Sequence, residues 1–153
     1  MSTEAELRVG LARLVGARVT DVGRTVNMIE VGFALGEVET RLHAQCPFRF
    51  IGGDNVVIGS EDLAYPAAPA DEAAYAERRT MYDRKARWLT ARLAAGEYRV
   101  ESAELGRAGA VTLVVTGSAV LEVFPACSGP VEQWRLFERG SDVHHVFPGS
   151  DDH

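Results

Sequence analysis

Cysteine is scarce in this sequence, with Cys46 and Cys127 the only two in 153 residues and no C-x-x-C pair. That rules out a disulfide framework and gives no support to a zinc ribbon or thioredoxin-like chemistry. Both thiols read as reduced, small, buried hydrophobes. Lysine and asparagine are rarer than usual: Lys85 stands alone against fifteen arginines, and Asn27 and Asn55 are the only asparagines. This bias matches a GC-rich bacterial genome, so an arginine here is not in itself a sign of bidentate recognition. No run approaches the roughly 18 apolar residues of a membrane span. The opening MSTEAELRVG is acidic and polar where a signal peptide needs a basic and then an apolar stretch, and the expectation is a cytoplasmic protein. The phosphate-cradling frames G-x-x-x-x-G-K-[ST] and G-x-G-x-x-G are missing, as is the G-x-S-x-G nucleophile elbow, and Ser60 and Ser118 sit in turn-like contexts. A net charge of −6 disfavours general binding to nucleic acid or anionic membrane.

What is present is a globular chain, 46% hydrophobic and 25% charged, of a size that suits one domain over residues 1–153. Thr3 followed by Glu6 forms a capping box, and Leu7, Leu11, Leu14 and Val15 recur at helical spacing until Gly16, which predicts a short N-terminal helix within residues 1–16. From residue 17 the period becomes two. Segments ARVTDVGR, VNMIEVGFAL and VETRLHAQC, separated by Gly23 and Gly36, precede FRFIG and VVIGS and predict a first β unit over residues 17–64. Asp71 stands where an N-cap belongs, and Tyr75, Tyr82, Ala86, Leu89 and Leu93 form one stripe up to Gly96, predicting a long helix over 71–95. A second β unit follows over 97–148, and residues 149–153 read as a flexible tail.

The two β units resemble each other. Aligned, Gly23-Arg24 meets Gly106-Arg107, Leu42 meets Leu121, and Phe48-Arg49-Phe50 meets Trp134-Arg135-Leu136. The fold predicted is α+β, mainly antiparallel β. Two related β-meander halves form a sandwich or partly closed barrel, with one long helix between them and a short helix at the N-terminus. In this register Cys46-Pro47 occupies the place of the loop PACSGPVEQ, which makes it a bend between strands and not a reactive centre.

Candidate chemistry is sparse. His144 and His145 are neighbours on a strand and point to opposite faces, so they cannot easily share a metal ion, and neither a metal site nor a cofactor is expected. Cys46 with His43 is the least implausible dyad, but their i, i+3 spacing directs them apart unless the chain bends at Pro47. A small-ligand or hydrolytic pocket between the halves would draw on His43, Cys46, Arg49, Arg135 and His144, with Trp134, Arg135 and Phe137 as anchors for a partner. Residues 78–92 hold six basic side chains against Asp83 alone, a local charge of +5 that leaves −11 for the rest. A basic helix face carrying Arg78, Arg84 and Arg87 could meet phosphates or an acidic protein surface. Its plain alternative is a solvated helix.

Over LHAQCPFRF…VVIGSEDLAYP and LEVFPACSGPVEQWRLF the chain resembles small single-domain proteins of unknown function from high-GC bacteria. The LEVFP…EQWRLF element is also similar to the closing strand of small acidic immunity proteins of bacterial toxin systems. That likeness implies a toxin-binding, non-enzymatic role and assigns no site residue. The functional expectation is a non-enzymatic protein-binding module, either a homodimer or an immunity-like inhibitor. A small-ligand or hydrolytic pocket is the alternative, and nucleic-acid contact through the basic helix the third reading.

Overall fold

The computed structural model describes residues 2–149. Helix α1 (Glu4–Ala12) is capped as its sequence predicts: the Glu6 amide donates to Thr3 Oγ1 and the Thr3 amide to the Glu6 carboxylate. Five strands follow, β1 (Arg18–Thr25), β2 (Met28–Leu35), β3 (Val38–Ala44), β4 (Phe48–Gly52) and β5 (Asn55–Gly59). After α2 (Met81–Ala95) come β6 (Val100–Leu105), β7 (Val111–Val115), β8 (Ala119–Val123), β9 (Trp134–Glu138) and β10 (His144–Phe147).

The strands form two five-stranded antiparallel sheets, ordered β1-β2-β3-β9-β10 and β5-β4-β8-β7-β6. Each half gives three strands to one sheet and two to the other. Exchanging β1–β5 with β6–β10 turns one order into the other, and finer detail follows the same rule. Leu42 pairs with Leu136 and Leu121 with Phe50. A bulge interrupts β1 between Val19 and Asp21 and β6 between Val100 and Ser102. At the crossings between sheets, Gln45 N–H donates to Gln133 O and Phe124 N–H to Pro47 O. The matches Leu42 with Leu121 and 48–50 with 134–136 therefore hold. Gly23-Arg24 lies inside β1 while Gly106-Arg107 lies past the end of β6, so that match is two residues out of register. Nor does Gly23 mark a break between strands: the β1–β2 hairpin turns at Val26 and Asn27, and Gly23 pairs with Glu30 inside the ladder.

One contiguous core takes in both sheets and both helices. Leu7 and Leu11 of α1, Leu42 and Trp134 of one sheet, and Phe50 and Leu121 of the other are all at most 3% exposed. Each helix packs on the other half's strands: α1 on β6 and β10, α2 on β1 and β5. The sheets do not close into a barrel; their edges touch at the bridge Arg18–Arg99 and where Gly16 N–H donates to Val100 O.

The long helix begins ten residues later than its apolar stripe predicts. Its N-cap is Thr80, whose hydroxyl accepts from Asp83 N–H while the Asp83 carboxylate accepts from the Thr80 amide, and Tyr82, Ala86, Leu89 and Leu93 are buried. Residues 71–79 form turns instead, with Arg78 at φ 58, a left-handed backbone that ends helical continuity. Asp71 is taken up by Arg79 at 2.7 Å, and Tyr75 is 42% exposed, off the stripe. The competing cap at Thr80 wins because Asp83 also closes a buried bidentate pair with Arg24 of β1, at 2.7 and 2.9 Å. Of the tail predicted over 149–153, residues 150–153 lie outside the described residues. Gly149 is buried.

Candidate functional site

Alternation along β3 and β9 sends Leu42, Ala44, Trp134 and Leu136 into the core and places His43, Arg135 and Phe137 on the opposite face of the sheet. His43 sits opposite Arg135 across the β3–β9 ladder, and Phe137 opposite His144 across β9–β10. The Phe137 ring is met edge-on by His43 at 4.9 Å and stacks on His144 at 4.6 Å. Arg135 Nη1 lies 2.6 Å from His144 Nδ1, and because a guanidinium only donates, Nδ1 accepts and the neutral imidazole carries its proton on Nε2. Burial holds the His43 imidazole below its ordinary pKa, against the opposing pull of Glu30 at 3.7 Å. Glu132, 2.6 Å from Arg135, raises that guanidinium. A cleft of about 700 Å³ opens beside Arg135 and His144. Its cation is already neutralised by Glu132.

The pocket and anchor candidates thus separate. His43, Arg135 and His144 come together, but on the outer face of one sheet and not between the halves. Cys46 is buried at the corner where the chain leaves one sheet for the other, and desolvation pushes its thiol up to about 12, so it stays protonated and weakly nucleophilic at neutral pH. Cys127, expected to be buried, is exposed. Arg49 pairs with Glu122 at 3.1 Å and sits over Phe124. Trp134, expected as a partner anchor, is fully buried. Its indole donates to Gly109 O at 2.8 Å and its ring stacks on Phe147, so it is core. Ser60 exchanges hydrogen bonds with the backbone of Phe48, and Ser118 occupies a turn at φ 60. No group of three or more His, Cys, Asp or Glu able to hold a metal occurs among the described residues.

The basic segment also divides. Arg79 pairs with Asp71 and Glu77, and Arg78, outside the helix, donates to Arg24 O. Arg87 reaches back to Arg78 O. Among the described residues, Arg84, Lys85 and Arg92 form no ion pair. Arg84, Trp88 and Arg92 follow one another at four-residue intervals, which lines them up on one side of α2. Trp88 is 53% exposed, with the Arg92 guanidinium 5.6 Å from its ring centre. Beside Arg84, Lys85 and Trp88 lies a groove of about 660 Å³ whose other walls are Val56, Val57, Pro66, Ala67 and Met81. Val56 is 52% exposed and the neighbouring Tyr65 58%.

Sequence reasoning passed over Trp88. The signal was present: measured against the stripe of Tyr82, Ala86, Leu89 and Leu93, position 88 falls off the apolar face and between Arg84 and Arg92. An aromatic so placed is exposed by the geometry of the helix alone. No helix among the described residues is long and apolar enough to cross a membrane. No family model, curated protein or solved structure matches this chain, so the chemistry of the surface is read from its own geometry.

Proposed function

We propose that this is a non-enzymatic binding protein of the bacterial cytoplasm that docks an acidic, apolar-rich surface of another protein onto the exposed face of α2. The observation that carries the reading is Trp88, half exposed beside an apolar groove and flanked by Arg84, Lys85 and Arg92, none of them neutralised by a carboxylate among the described residues. Large aromatics with arginines are the residues that dominate binding energy at interfaces. A cation without an internal partner gains most from an acidic surface that arrives with it. An immunity-like inhibitor acting on such a surface falls within this reading. Self-association by this face would set it against an acidic region elsewhere on a second copy, either reciprocally in a two-fold dimer or head-to-tail in a ring or filament.

The test begins with capture from extracts of the source cell, followed by binding measurements on the identified, purified partner. Trp88→Ala should weaken binding by about 2 kcal/mol, roughly thirtyfold, through faster dissociation. The double reversal Arg84→Glu with Lys85→Glu should slow association and flatten its dependence on salt. A partner whose affinity ignores both variants, or tight binding of a single-stranded oligonucleotide at the same face, would overturn the proposal.

A further inference from the structure

The exchange of halves places two equivalent slots at opposite ends of the molecule, each roofed by one helix and floored by the ends of three strands. Beneath α1 the slot holds about 250 Å³ and is lined by Thr40, Leu136 and Glu138. Beneath α2 the counterparts by strand register are Ala119, Phe50 and Gly52, and the slot holds about 380 Å³. The α1 slot is satisfied from within. His145 packs so closely on Gly10 that a Cβ there would fall 2.6 Å from the ring. Arg13, the cation of that slot, meets the Glu138 carboxylate at 3.8 Å.

The α2 slot differs in its charge. Its walls are Phe50, Leu89, Leu93, Tyr98 and Ala119, apolar apart from the tyrosine hydroxyl, with Trp88 at the side. Among the described residues Arg92 is the one charged side chain lining it, and the position that supplies a carboxylate in the other slot is Gly52 here. The volume lies in the range of small-molecule sites.

We infer that the α2 slot binds a small apolar carboxylic acid, its hydrocarbon body among Phe50, Leu89 and Ala119 and its carboxylate on Arg92, where the α1 slot has its own glutamate. The ligand supplies the charge that Glu138 supplies at the other end.

Octanoate is the probe, with octylamine and octan-1-ol as controls, followed by NMR shifts of the Trp88 indole and the Ala119 methyl and by calorimetry. Octanoate should move both signals and bind at least tenfold more tightly than octylamine. Arg92→Gln should remove that preference and leave octanol binding in place. Gly52→Glu rebuilds the internal pair of the α1 slot and should weaken octanoate tenfold or more, the Val57 side chain turning aside to admit it. Ala119→Leu fills the slot and should abolish binding of all three, with an unchanged unfolding midpoint showing that the fold persists. Arg84 and Lys85 do not line this slot. The double reversal that tests partner docking should therefore bind octanoate within twofold of wild type, so the two proposals fail separately. The inference is overturned if octanoate at about 1 mM moves neither signal, which limits binding to less than about 4 kcal/mol, or if octylamine binds equally well.

Discussion

At the scale of single residues, the pair that organises the most structure is Arg24 with Asp83, whose side chains are 3% and 6% exposed. Burial pushes the Asp83 carboxyl up, but hydrogen bonds from Arg24 and Thr80 outweigh it and hold it below its ordinary range. Arg24 also donates to Val26 O and Tyr75 O, so one guanidinium ties β1 to the β1–β2 hairpin turn and to the segment before α2. Breaking the pair leaves a buried charge without a partner. Asp83→Asn should cost about 3–5 kcal/mol in urea unfolding, whereas Arg24→Met with Asp83→Leu should recover most of that loss. A single variant that costs under about 1 kcal/mol would show the pair to be effectively solvated. No local pattern in the sequence exposes this contact. The partners are 59 residues apart, and Asp83 reads only as the lone acid among arginines. Cys46 is the opposite case, since proline beside it and a matching loop in the second half were enough to show a bend.

At the scale of elements, strands and the N-terminal helix were legible because their signals are local: alternation, glycine turns and a capping box. The start of α2 was not, because two caps compete and the choice depends on tertiary contact. Asp71 offers a side chain to helix-competent residues, but Thr80 offers one whose partner is already fixed by Arg24. Thr80→Ala should therefore destabilise the protein by about 1 kcal/mol, while Asp71→Ala should change stability by no more than about 0.5 kcal/mol. Paired thermal melts read both. Equal effects would mean that the helix starts at neither cap in solution. The same displacement explains the candidate basic face. Once residues 71–79 leave the helix, Arg78 and Arg79 turn back onto the chain, and the free cations that remain gather around Trp88.

At the scale of the whole molecule, the likeness of the two halves was visible in the sequence as a faint repeat, but the exchange of strands was not. Alternation records which face of a strand is buried and carries no record of which sheet receives it. The exchange has a direct consequence for fragments. Neither 2–64 nor 71–149 contains a complete sheet, and the strands on which each helix chiefly packs lie in the other piece. Expressed alone, each should lack a cooperative unfolding transition. Mixed, they should recover circular dichroism and a melt near that of the intact chain. A cooperative melt from either piece alone would contradict this.

The crossing of the halves also bears on how the two ends of the molecule can differ. A lone unit of one helix and five strands would have to entwine with an identical copy, and every substitution would then appear at both ends at once. Carried twice in one chain, the unit is released from that constraint. Glutamate can stand at 138 and glycine at 52, so that at one end the arginine has its own carboxylate while the other is left free to acquire a role.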